Sequence, residues 1–235
     1  STGSPGKLSY VAQILPYLEQ GNLFEPIDFS KPWYDPVNLN FLKEYPLEAL
    51  KCPSWSRKQE TALDNSGNTE TTALASHYLA VMGAKNVCPS PASDPYKVTH
   101  HPAGGCCQCD AGGWSHTGIM HVVSQTQLGH IRDGLSNTLL LGEFSWSEEL
   151  PIRWWPVGES NGGGWSYGGY NVHHGINSVD APTALNNDRS FGSSHAGGAY
   201  FALGDGSVHF INESIKLDVY KALASKAGGE AAQLP

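Results

Sequence analysis

Gly204-Asp205-Gly206 separates two strand-like runs, Tyr200 to Leu203 and Ser207 to Ile211. A link this short that contains glycine closes a β-hairpin, because the turn needs positive φ. Composition points the same way. Charged residues are only 15% of 235, against the ~25% of an ordinary soluble domain. With 27 Gly, 15 Pro and 7 Trp, the chain reads as strands and loops rather than a helical bundle. Hydrophobic residues, at 40%, suffice for a real core, and one globular unit is expected over residues 1–235.

Helical spacing is confined to short stretches. Leu8, Val11, Ala12, Leu15 and Leu18 form an apolar stripe over residues 8–20, with Pro16 kinking it or opening a new first turn and Gly21 as its stop. Asn38 to Glu44 and Leu47 to Lys51 read as two more short helices, and Leu217 to Ala227 as a last one, ended by Gly228. His77 to Met82 reads as a buried strand, Ile119 to Ser124 as another, and the apolar run that ends in Glu143 follows a turn at Asp133-Gly134. Between them, residues 87–116 form a Pro-, Gly-, Cys- and His-rich excursion expected on the surface.

The formal charge of −8 and the absence of any basic run argue against nucleic acid as a partner. No window reaches the ~20 apolar residues of a membrane span. Ser1 to Gly6 reads as a cut end, so that membrane contact is expected only through an N-terminal helix not contained in this sequence.

Several segments stand together in order: Ile14-Leu-Pro-Tyr-Leu-Glu-Gln20, Lys51-Cys-Pro-Ser54, Ile131-Arg-Asp-Gly-Leu-Ser-Asn-Thr-Leu-Leu-Leu-Gly-Glu143, Phe191-Gly-Ser-Ser-His195 and Gly204-Asp-Gly-Ser-Val-His-Phe-Ile211. His195 precedes Asp205-Gly206 by nine intervening residues. As a set they resemble a large bacterial family of exported prepilin-like proteins, also called solute-binding-protein-like (domain of unknown function 1559), with a His-x9-Asp-Gly C-terminal signature. The resemblance implies an α+β, pilin-like head: a helical N-terminal part on an antiparallel sheet, with long loops and an anchoring helix upstream. It implies a place outside the cytoplasm, at the cell surface or beyond, with the full-length form anchored in the cytoplasmic membrane, and like subunits in a fibre or secretion apparatus as partners. It implies no reaction.

Four constellations could carry chemistry. Cys106, Cys107 and Cys109 lie among His100, His101, His116 and His121, seven thiol and imidazole groups in 22 residues, the ligand types zinc and copper prefer. Their spacing does not match a zinc knuckle, and disulfides involving Cys52, Cys88 and two of the three are the competing chemistry in an exported protein. Asp133 and Asn137, with Glu143, offer oxygens to calcium, or else satisfy backbone donors in a turn. Trp154, Trp155, Trp165, Tyr167 and Tyr170 form either a glycan-stacking platform or core filling. His195, Asp205 and Gly206 read as structural, since no Gly-x-Ser-x-Gly elbow accompanies them. The sequence thus leads to a non-enzymatic, pilin-like structural or surface-interaction subunit, with a glycan-, solute- or metal-binding module as the alternative.

Overall fold

The computed structural model describes residues 8–42, 44–55, 61–63, 69–71, 75–86, 93–96, 98–99, 112–145, 154–158, 166, 168–178, 186–230, 232 and 234. The architecture is α+β. In chain order come the helices α1 (Tyr10–Ile14), α2 (Gly21–Phe24) and α3 (Pro36–Leu42), then strands β1 (Thr61–Leu63), β2 (Thr69–Thr71), β3 (Tyr78–Ala84), β4 (Val98–Thr99), β5 (Trp114–Ser115), β6 (Leu139–Glu143), β7 (Gly169–Val172), β8 (Gly198–Leu203) and β9 (Val208–Asn212), and finally helix α4 (Leu217–Leu223). Five strands make the main sheet, in the order β7-β3-β6-β8-β9. Every pairing in it is antiparallel except β3 with β7. No described helix is long and apolar enough to cross a membrane.

The N-terminal stripe divides where proline forces it to. Ser9 caps α1, its hydroxyl accepting from the Val11 amide at 3.1 Å. Pro16 then opens a 3-10 turn over Leu15–Leu18. The left-handed stop is Glu19, at φ 59°, and not Gly21, which begins α2. Val11, Ala12 and Leu15 pack with Leu23, Leu42, Leu50, Trp154, Trp155 and Val157 in one core cluster.

The second cluster is the sheet's own. Leu79, Val81, Tyr170, Phe201, Leu203 and Ile211 meet Tyr220 and Leu223 of α4. The hairpin β8–β9 turns through Gly204–Ser207, where Asp205 Oδ1 accepts from the Ser207 amide at 2.9 Å and Gly206 takes φ 85°. Those bonds to Ser207 hold the Asp205 carboxyl below its usual range.

Three further expectations change. Residues 119–124 are turn and bend, not strand, because Gly118 backs directly onto β3. Its amide donates to Met82 O at 2.9 Å, and a Cβ there would stand 2.6 Å from Val81 O. Val123, at φ 58°, then breaks any extended run. Helix α4 ends at Leu223 rather than Ala227, since the Lys226 backbone is taken by neighbours: its amide donates to Thr117 O at 2.8 Å and its carbonyl accepts from Arg132 N at 2.7 Å. The 87–116 excursion is not wholly a surface feature, for Tyr96 and Trp114 are buried, and β4 pairs with β5.

Behind β3 and β7 lies a buried polar knot. Lys85 pairs with Asp188, and its ammonium also donates to Gly112 O at 2.6 Å. Asn171 donates to Asp188 Oδ1 at 2.7 Å and accepts from the Ser115 amide at 2.9 Å, while Asn187 donates to Gly113 O at 3.0 Å. Such a knot is tolerated only because its members satisfy one another.

Candidate functional site: a cysteine, glutamate and histidine triangle

Cys52 follows the 3-10 turn Glu48–Leu50 and is held by its backbone. Its amide donates to His77 Nδ1 at 2.7 Å, so the ring proton of His77 sits on Nε2. Burial, with Lys51 nearby, pushes His77 down to about 4 and keeps the imidazole neutral for that task. Glu143 is the last residue of β6. Its backbone carbonyl accepts from Gly192 N at 2.8 Å and its Oε2 accepts from Tyr200 N at 2.7 Å. His195 lies in the approach to β8, where its amide donates to Ser193 Oγ at 3.2 Å and its ring meets the Tyr200 ring edge-on, centroids 5.3 Å apart.

These supports bring three side chains to one point. Cys52 Sγ is 3.4 Å from Glu143 Oε1 and 3.6 Å from His195 Nε2, and Oε1 is 3.5 Å from Nε2. Ser54 Oγ joins them, 3.0 Å from Sγ and 3.3 Å from Nε2. The Glu143 side chain is 2% exposed and that of His195 30%, so the cluster is closed on one side and open to water on the other. Beside it the Tyr78 phenol is pushed up to about 12 by burial and by the neighbouring Cys52 and Glu143. Cys52 is a free thiol. Thiol, carboxylate and imidazole in this arrangement can hold a metal ion.

Of the residues singled out in the sequence, Cys52, Glu143 and His195 meet in the triangle, though none was expected there as a partner of the other two. His195, expected to be structural, is itself a corner of the triangle. Asp133 accepts from Gly228 N at 2.7 Å and Gly229 N at 3.1 Å, and Asn137 hydrogen-bonds back to the Asp133 carbonyl, while Glu143 stands apart from both in the triangle. Trp154, Trp155 and Tyr170 are buried, so their faces meet protein and not a sugar. This corrects the platform reading for those three. Trp165 and Tyr167 lie outside the described residues, as do Cys88, Cys106, Cys107, Cys109, His100 and His101.

His116 and His121 do converge, Nδ1 to Nδ1 at 3.2 Å. Burial, His116 and Lys226 outweigh the Val122 carbonyl and push His121 down to about 4 from 6.5. The folded protein therefore favours neutral His121, a contribution fully present above pH 6.5. It is lost as pH falls toward about 4, because the unfolded chain takes the proton first. Chemical denaturation across that window should show unfolding coupled to uptake of up to about one proton at this residue, and His121→Gln should flatten the profile. An unchanged slope in the variant would contradict this. Near His121 a cavity of about 400 Å³ opens beside α1 and β3, lined by Tyr10, Gln13, Met82 and Ser166 among others.

Spacing rules could not have found the triangle, since Cys52 is 91 residues from Glu143 and 143 from His195. One signal was present: each of the three belongs to a segment on which the family resemblance rests, Lys51–Ser54, Ile131–Glu143 and Phe191–His195. Comparison with curated proteins and with solved structures finds no match. Over residues 1–218, however, the sequence matches the family described as Protein of unknown function (DUF1559), and the chain belongs to that family.

Proposed function

We propose that the chain is the head of a non-enzymatic, exported pilin-like subunit, displayed outside the cytoplasmic membrane and joined to like subunits in a fibre or secretion apparatus. The observation that best supports this is the outer edge of the main sheet. Among the described residues β9 pairs only with β8 in that sheet, and Val208, Phe210 and Tyr200 are 64%, 41% and 42% exposed. The register sets Tyr200 opposite Phe210 and Ala202 opposite Val208, so the three share one face, away from α4. An apolar edge strand with free backbone groups is a template for another chain. The non-enzymatic reading draws on the triangle itself. Cys52 and Glu143 approach the same ring nitrogen of His195, whereas a nucleophilic relay needs the acid on the far nitrogen.

Shearing cells of the producing organism should release the protein in an extracellular, high-mass fraction, and Val208→Lys should shift it to a lower-mass form without loss of folding. Recovery of the protein wholly from the cytosol, or assembly unaffected by Val208→Lys and Phe210→Lys together, would overturn the proposal.

A further inference from the structure

We infer that Cys52, Glu143 and His195 form a zinc site that staples three distant segments of the chain. This goes beyond the pilin-like reading and does not depend on it.

The first ground is geometric. Zinc bonds of about 2.3 Å to sulfur and about 2.0–2.2 Å to nitrogen and oxygen, at tetrahedral angles, require ligand atoms about 3.3–3.7 Å apart. The three separations here are 3.4, 3.6 and 3.5 Å. Three side chains from a loop, a strand end and a second loop thus form one face of a zinc tetrahedron. Ser54 Oγ, 3.0 Å from Sγ and 3.3 Å from Nε2, is too close to the sulfur for a fourth corner and is a hydrogen-bonding neighbour of both ligands.

The second ground is electrostatic. The Glu143 carboxylate is buried, and His195 is the one basic group recorded in ion-pair contact with it among the described residues. A buried carboxylate next to a buried thiol is costly without a cation. A divalent ion supplies that charge and takes up the thiolate when the thiol proton leaves to solvent on binding. Mixed thiolate, imidazole and carboxylate donors in a tetrahedral array suit zinc. Calcium takes oxygen ligands, and copper(II) prefers a square arrangement.

The third ground is the outer support that such ligands need. Glu143 Oε2 is fixed by Tyr200 N at 2.7 Å, and the Cys52 backbone by His77 at 2.7 Å. The ion would therefore tie the loop after Leu50 to the end of β6 and to the entry of β8.

The test uses the whole chain, stripped with a chelator and titrated first with Co²⁺ and then with Zn²⁺. Wild type should show a thiolate-to-cobalt charge-transfer band and the visible bands of four-coordinate cobalt, both displaced by zinc, and zinc should raise its Tm. Cys52→Ser should bind one ion fewer and lose the charge-transfer intensity that belongs to it. Glu143→Gln, nearly isosteric, should weaken zinc by more than the roughly 10–100-fold typical of losing an outer partner. Should Cys52→Ser fail to fold, Glu143→Gln and His195→Asn carry the test on circular-dichroism-checked protein. A charge-transfer band that survives intact in Cys52→Ser, affinity unchanged in Glu143→Gln and His195→Asn, or no cobalt–thiolate band in wild type would each overturn the assignment.

Discussion

Replacing Lys85 by Met should destabilise the protein by about 3–5 kcal/mol, the cost of leaving a buried charge without its partner. Both side chains of the Lys85–Asp188 pair are almost fully buried. Asn171 still donates to Asp188 in the variant, but a neutral amide does not replace a cation. The double variant Lys85→Met with Asp188→Asn should recover part of the loss, because the orphaned charge is gone while the Asn171 contact has a partner. Urea unfolding of the three proteins reads the difference directly. A single-variant cost below about 1 kcal/mol would mean that the pair is hydrated or that the site relaxes, against the burial described above.

Trp155→Ala should cost a comparable amount, about 3–5 kcal/mol, through the cavity it leaves in the N-terminal core. Trp155 is fully buried among Val11, Leu15, Leu42 and Leu50. It is also a junction. Its indole Nε1 donates to Tyr45 O at 3.0 Å, and its carbonyl accepts from the Ser9 hydroxyl at the cap of α1. Trp155→Phe keeps most of the volume and loses the indole bond, so its loss should be clearly smaller. Thermal unfolding followed by tryptophan fluorescence and by far-ultraviolet circular dichroism separates the two. Equal losses in both variants would place the energy in the Tyr45 hydrogen bond and not in packing.

The same residue shows why aromatic clusters are hard to assign from sequence. Trp154, Trp155 and Tyr170 sit among glycines and asparagines, which suits a sugar platform and a core equally well. Only burial distinguishes the two, and burial depends on what α1 and α3 cover for the tryptophans and on the sheet's own cluster for Tyr170. The strand expected at Ile119–Ser124 misled for a related reason. Its apolar residues have the right pattern, yet the close approach of Gly118 to β3 and the left-handed Val123 force a turn.

What the sequence by itself determined is local. The hairpin over Tyr200–Ile211, the break of the first helix at Pro16, the buried strand at β3 and the run into Glu143 follow from dihedral preferences and apolar periodicity within a few residues. What only the tertiary structure decided is long-range: that Lys85 meets Asp188, 103 residues on, and that Cys52, Glu143 and His195 close a triangle. Those encounters depend on strand order and on which buried polar groups must satisfy one another, quantities summed over the whole chain that no short window contains.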